Sequence, residues 1–277
     1  MVIFRSSWEK DALWAYMDAS PFGKAHQHED KLSVQLWAFG HELMPEAGTF
    51  DYDTSEMRRY VLSTRGHNTA RIDGFDQNRR DGYRWLPEDI EKKADVRFAI
   101  EDARETAEAS YGEGYGPGKI NVRHTRKLIF LKHEPGLPPM FAAVDRFEAD
   151  GAHNCELIWH LYDNPTEMVG RAAHNTFPDG VGLTVASSFG GIGIVRGVKT
   201  PEFQGWLPKF GIGDVEHTPI PTVLNTFRFD GSCRVVTVLC PYQGGAPLVR
   251  SVEASSAADS EEFTVTLSDG STLTIRE

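Results

Sequence analysis

Residues 26–31 read His-Gln-His-Glu-Asp-Lys and run straight into an apolar stretch from Leu32 to Gly40. On an extended chain, side chains two apart point the same way, so His26 and His28 can face one pocket. Glu46 follows in Met44-Pro45-Glu46-Ala47-Gly48, and His67 stands in Gly66-His67-Asn68-Thr69, just ahead of another short strand. Two imidazoles and a carboxylate from neighbouring strand ends suit a zinc shell with three protein ligands and a fourth position for water or substrate. Asp30 or Asn68 is placed to orient a ligating imidazole from behind. His-x-His alone is also common among solvated or core histidines, so spacing leaves both readings open.

The elements that must position these residues are mostly strands. The segments 31–40, 69–74, 126–133, 140–149, 154–163, 181–188, 191–197, 222–231, 233–242, 263–270 and 271–277 alternate apolar and polar residues or form short apolar runs, as half-buried antiparallel strands do. Asp269-Gly270 marks a closing hairpin turn. The expected fold is all-β, a large antiparallel β-sandwich. One or two short helices are expected near 86–112, after Pro87. The whole of 1–277 reads as a single domain, divisible at about residue 120 into a site-bearing layer and the remaining sandwich. The Gly/Pro-rich segment 200–221 reads as a long loop of the kind that often carries function.

The net charge of −11 argues against general nucleic-acid binding. Basic residues nevertheless cluster: Arg58, Arg59, Arg65, Arg71, Arg79, Arg80 and Arg84 read as a local cationic patch. Three cysteines without Cys-x-x-Cys spacing are too few for a disulfide framework. No apolar run is long enough to span a membrane. The N-terminus lacks the pattern of a secretory leader and reads as the middle of a structure, so a longer parent chain is expected. His124, His153, His174 and His217 lack the surrounding ligand pattern and read as loop or unassigned histidines. No Gly-x-Ser-x-Gly or nucleotide-binding glycine pattern occurs, so neither serine hydrolysis nor a nucleotide cofactor is implied.

The stretch from Pro21 to Arg80, with its ordered His-Gln-His-Glu-Asp, Pro-Glu-Ala-Gly and Arg-Gly-His-Asn-Thr motifs, resembles the heparinase II/III-like polysaccharide lyases. The later segments 123–132 and 142–163 resemble the sandwich of the same family. The resemblance implies Zn2+ on His28, Glu46 and His67, with His26 lining the catalytic cleft. The family usually has Asp-Pro-Gly where this chain has Glu46-Ala47-Gly48, so the carboxylate arm is one methylene longer. The family also carries an N-terminal α/α toroid, expected as a missing domain here, or else replaced by a homodimer that closes the cleft.

Such a lyase removes the proton at C5 of a uronate and expels the oxygen at C4, which needs a base, an acid and stabilisation of the developing carboxylate charge. His26 can serve as base or acid, since an imidazole titrates near neutrality. The resemblance puts a sandwich tyrosine near the cleft, and Tyr52 is favoured over Tyr60, whose ring can equally pack in the core. Gln77, Asn78, Arg79 and Arg80 are expected at the same rim as sugar-binding groups. Trp206 either stacks on a sugar ring or anchors its own loop. The expected partner is an acidic polysaccharide, met in the periplasm or outside the cell. The rival expectation is a non-catalytic carbohydrate-binding or structural module.

Overall fold

The computed structural model describes residues 1–22, 26–78, 93–210, 216–244, 248–255 and 261–277. The chain opens with an antiparallel four-stranded sheet in chain order: β1 (Val2–Arg5), β2 (Trp14–Met17), β3 (Val34–Ala38) and β4 (His41–Met44). Phe4, Ala15, Met17, Val34, Leu36 and Ala38 point inward and are buried, while Trp14, Tyr16, Gln35 and Trp37 point outward. This is the period-two alternation the sequence predicts. Helix α1 (Glu56–Leu62), a 3-10 turn (Thr64–Gly66) and β5 (Ala70–Ile72) follow.

The remaining strands are β6 (Val96–Ile100), β7 (Arg104–Tyr111), β8 (Val122–Leu131), β9 (Met140–His160), β10 (Thr166–Val169), β11 (Ala172–Thr176), β12 (Gly182–Ser187), β13 (Gly191–Arg196), β14 (Trp206–Leu207), β15 (Thr218–Pro219), β16 (Pro221–Tyr242), β17 (Val249–Ala254), β18 (Glu262–Leu267) and β19 (Thr272–Arg276). The large sheet runs β10-β11-β12-β16-β9-β8-β7-β6, with β13 also on β16 and β5 on β9. Its spine is the antiparallel pair β9 and β16, of 21 and 22 residues. The sequence predicts two strands in each of these stretches. Strand β9 instead continues through Gly151, at φ +103°, where the ladder shifts register between Asp230 and Ser232 and resumes, so each pair is one strand.

Both faces of the large sheet are covered. One face, with Leu128, Phe130, Phe141, Ala143 and Trp159, packs on β1–β4. The other, with Ile129, Leu131, Met140, Ala142 and Val144, packs on the sheet β17–β19. The main core joins residues from Phe4 to Leu239 and therefore crosses residue 120.

The helices expected near 86–112 are not found where that range is described; residues 79–92 lie outside the described residues. Residues 96–100 and 104–111 are the paired strands β6 and β7. Alanine and glutamate favour helix locally, but Ala107, Ala109 and Tyr111 alternate inward against β8 and tertiary packing prevails. Among the described residues the one α-helix is α1, which the sequence reading missed.

Candidate functional site

The site lies where loop 26–32, the turn 45–48 and the segment 63–69 meet. Helix α1 sets its scaffold. Ser55 caps the helix by accepting from the Arg58 N–H at 3.1 Å, and the Ser63 N–H closes the other end on Arg59 and Tyr60. The chain then packs very tightly. A Cβ on Gly66 would lie 2.8 Å from the Tyr60 carbonyl and 3.1 Å from Ala47, so only glycine fits. The Ala47 N–H donates to the Gly66 carbonyl at 2.9 Å, which brings Glu46 alongside His67.

Loop 26–32 is not extended, which corrects the expectation of two parallel imidazoles. His26 has φ +57° and turns outward; its Nε2 lies 3.2 Å from the Tyr52 hydroxyl. His28 turns the other way, its ring 5.3 Å from that of His67. The loop's backbone is held by side chains from elsewhere. Gln77 clamps Lys31, accepting from its N–H and donating to its carbonyl, both at 2.8 Å. Thr64 donates to the Glu29 carbonyl and Thr69 to that of Lys31, at 2.8 and 2.9 Å.

His67 is fully buried. Its Nε2 lies 3.1 Å from the Val61 carbonyl, which cannot donate, so Nε2 carries a proton. Its Nδ1 lies 3.0 Å from Glu46 Oε2. A lone pair facing a carboxylate at that distance is repulsive unless a cation joins them, either a proton or a metal. Without metal the proton does so. Burial disfavours the charged ring, but Glu46 overrides it and the His67 ionisation is pushed up to about 9. Burial likewise raises the Glu46 carboxyl, and the His67 charge more than offsets it, leaving a net lowering. Ser33 Oγ donates to the same carboxylate at 3.2 Å.

The donor set also fits zinc. Two ligands of a tetrahedral ion about 2.0–2.2 Å away sit roughly 3.3–3.6 Å apart, close to the Nδ1–Oε2 separation, and Val61 is the orienting carbonyl such an imidazole needs. His28, Asp30 and His67 form a second grouping, with one ligand atom from each within 4.8 Å of the others. Asp30 therefore joins the ligand candidates His28, Glu46 and His67 and is not confined to orienting them from behind.

Behind this cluster lies a buried polar chain that sequence reasoning did not find. Asn68 donates to the Val34 and Pro45 carbonyls, both at 2.8 Å, and its Oδ1 accepts from His160 Nδ1 at 2.9 Å. His160 Nε2 is then the acceptor for the Tyr60 hydroxyl at 3.0 Å. Burial, then the charge on His67, lowers the His160 ionisation to about 3 and keeps the ring neutral.

Arg126 anchors the assembly to the sandwich. Directly opposite Asp145 in the β8–β9 register, it grips that carboxylate with Nε at 2.7 Å and Nη2 at 3.1 Å. Its Nη1 donates to the Leu32 and Asn68 carbonyls, both at 2.7 Å. Leu32 has φ +69°, so the guanidinium pins the strained end of the loop. His124 Nε2 completes the group 2.6 Å from Asp145. The signal was available in sequence: His124 and Arg126 occupy the inward register of a strand otherwise filled by Val122, Leu128 and Phe130.

Several expected site residues are elsewhere. Tyr60 is wholly buried and burial pushes its hydroxyl well above its usual range, so it is a core group and not a proton donor to a cleft. Gln77 is buried and its amide is spent on Lys31. Asn78 is half-buried and donates to the Gly116 carbonyl at 2.8 Å. Trp206 is buried beside Tyr60 and Met57, its indole N–H on the Val198 carbonyl at 2.8 Å; it anchors its loop. Among the described residues the free part of the expected cationic patch is small. Arg71 is enclosed by Asp76, Glu156 and Glu202, and Arg65 is tied to Phe203 and Glu202, so both charges are neutralised. Arg79, Arg80 and Arg84 lie outside the described residues. Arg58 remains, its guanidinium 4.7 Å from the centre of the exposed Tyr52 ring, with Arg59 beside it paired to Glu56.

The family described as "Heparinase II/III-like, C-terminal" matches residues 2–216. The chain is 25% identical over 192 residues to a heparin-sulfate lyase of Pedobacter heparinus, covering 66% of this chain and 26% of that protein. It is 30% identical over 135 residues to a heparin-sulfate lyase of Bacteroides stercoris, covering 47% and 18%. Among solved structures, a heparan sulfate lyase from Pedobacter heparinus aligns with a TM-score of 0.71 at 19% identity over 99% of this chain and 40% of that one. A heparinase III structure aligns at 0.72 and 17% over 99% and 40%. The chain thus spans about a quarter of the first curated relative's length and two fifths of the solved ones.

Proposed function

The chain belongs to the heparinase II/III-like family, and from that premise we propose that it forms the sandwich wall of a polysaccharide-lyase cleft that acts on uronic-acid-containing chains. The observation that carries this reading is the 3.2 Å contact between the Tyr52 hydroxyl and His26 Nε2 at the exposed mouth of the site. Elimination across C4 and C5 needs one group to take the C5 proton and another to return a proton to the leaving oxygen. Two proton-bearing groups in direct contact can share those roles. Arg58 over the Tyr52 ring favours negative charge that develops there or on the substrate carboxylate.

His28, Glu46 and His67 would hold Zn2+, with Asp30 close by. When bound, the ion supplies a fixed positive charge in a site built for acidic groups. The chain's own part is to hold the imidazoles: Val61 fixes the His67 tautomer, and Arg126 fixes the backbone on either side. The names of the relatives, heparin-sulfate lyases, favour a sulfated or uronate polysaccharide as substrate, and a periplasmic or extracellular setting is proposed with it. Because those relatives are much longer, the opposite wall of the cleft is assigned to a helical toroid or a second copy, and this chain alone is a poor lyase. Among the described residues no helix is long and apolar enough to cross a membrane.

The test incubates the whole protein, and this chain alone, with heparan sulfate, alginate, hyaluronan and glucuronan while following the near-ultraviolet absorbance of the 4,5-unsaturated product. His26→Ala and Tyr52→Phe should each lower it about 10²–10⁴-fold in the whole protein. Undiminished turnover in both variants would sink the proposal. Retention of a polysaccharide without any product from the whole protein would favour the binding-module reading.

A further inference from the structure

Four side chains form a continuous stack on the outer face of the sheet β1–β4. Trp14 and Trp37 are opposite each other in the β2–β3 register, their rings 3.9 Å apart with 1° between planes. Arg5 is opposite Trp14 in the β1–β2 register. Its guanidinium lies 5.9 Å from the centre of the Trp14 ring and 4.7 Å from that of Trp8. The order is therefore Trp8, Arg5, Trp14, Trp37.

Two features of this stack are unspent. Trp8 is 86% exposed, so an indole of large apolar area is held in place by Arg5 with its other surface in water. Arg5 donates to the Ser7 carbonyl at 3.3 Å and has no carboxylate partner among the described residues. The sheet face also leads somewhere. Trp37, Gln35 and Ser33 lie two apart along β3 and its lead-in, on one side of the chain in steps of roughly 7 Å, and the Ser33 hydroxyl donates to Glu46 at 3.2 Å. The stack and the His67 cluster thus share one sheet face.

We propose that this stack is a docking strip for an acidic oligosaccharide that continues into the His67 cleft. The C–H face of a sugar ring buries apolar area against an indole, and a guanidinium takes a carboxylate or sulfate through paired N–H donors. A neutral glycan would use the rings and leave the cation idle. The inference rests on the cleft reading above for its ligand class, but not on zinc or on His26.

Calorimetric titration of this chain with a heparan sulfate oligosaccharide tests it, with a neutral glucan oligosaccharide as control. Trp8→Ala and Arg5→Gln should each weaken binding at least about fivefold with zinc content unchanged. Both positions are solvent-facing, so the fold should persist. Wild-type fluorescence should shift to the blue as sugar covers Trp8, and Trp8→Phe should lack that component. Wild-type affinity in both variants overturns the strip, and equal affinity for the neutral glucan overturns its acidic occupant. Loss of binding in His26→Ala alone also overturns it, while leaving the cleft standing. If Trp8 of the whole protein is shielded from acrylamide before sugar is added, a protein segment is the occupant and the proposal fails.

Discussion

Replacing Arg126 by methionine keeps most of the side chain's length and removes its charge and donors. Three groups then lose their partner in a region with no solvent access: the Asp145 carboxylate and the carbonyls of Leu32 and Asn68. Breaking a buried ion pair from one side costs about 3–5 kcal/mol. Each carbonyl left without a donor adds about 1–3 kcal/mol if nothing relaxes. His124 still contacts Asp145, and water entry will soften the loss. The expected destabilisation is therefore about 4–6 kcal/mol, a large part of a domain's typical stability of about 5–15 kcal/mol. Urea unfolding measures it. Arg126→Met combined with Asp145→Leu removes both charges, and such apolar replacement is often close to neutral. The double variant should regain only the part due to the unpaired carboxylate, since both carbonyls and the His124 ring stay without that partner, and it should still bind zinc more weakly in a chelator competition, because Leu32 and Asn68 stay unpinned. A loss below about 1 kcal/mol in Arg126→Met would refute the burial argument. Wild-type zinc affinity in the double variant would refute the role assigned to Arg126.

Zinc should be present by elemental analysis in protein purified without added metal and absent from His28→Ala/His67→Ala; no zinc in the wild type contradicts the ligand assignment. Tyr52→Phe should leave stability within about 0.5 kcal/mol and lower the whole protein's turnover about 10²–10⁴-fold. Tyr60→Phe should instead lose about 1–3 kcal/mol, since His160 Nε2 loses its nearer donor and keeps only the Gln204 amide at 3.4 Å, and turnover per folded molecule should hold; the opposite pattern exchanges the two tyrosines. His160 ionises at about 3 when folded and near 6.5 when unfolded, so the unfolded chain binds the extra proton between those values. Its contribution to stability is complete above about pH 6.5 and declines as pH falls toward 3. A flat urea midpoint across that window, or one unchanged by His160→Asn, would count against it. His67 does not offset this, because both states of that ring are protonated there; its own contribution is lost as pH rises through about 9.

Local patterning determined a good deal. Alternation in segments such as 31–40 and 126–133 specified antiparallel strands, because a half-buried strand must show one face to each solvent. The order His28, Glu46, His67 contains one contact the fold makes, Glu46 on His67, while the His28 ring lies 5.3 Å from that of His67 and groups with Asp30 and not with Glu46. What the sequence could not decide was direction and burial. His26 and His28 diverge because His26 takes a left-handed backbone, a choice set by the packing of the loop and not by the residues' spacing. Tyr52 and Tyr60 are chemically identical, yet one lies in water against His26 and the other in the core against His160, because α1 turns Tyr60 toward β9. Gln77 and Trp206 look like cleft-facing groups until the partners 46 residues away and across the loop claim their polar atoms. The alanine- and glutamate-rich stretch after residue 103 carries helix propensity worth only tenths of a kcal/mol per residue, and the edge of the large sheet outweighs it. Arg126 and Asp145 become a site-holding pair only through the β8–β9 register, which joins positions 19 residues apart and aims the leftover guanidinium donors at two loops, one leading into β3 of the first sheet and one into β5.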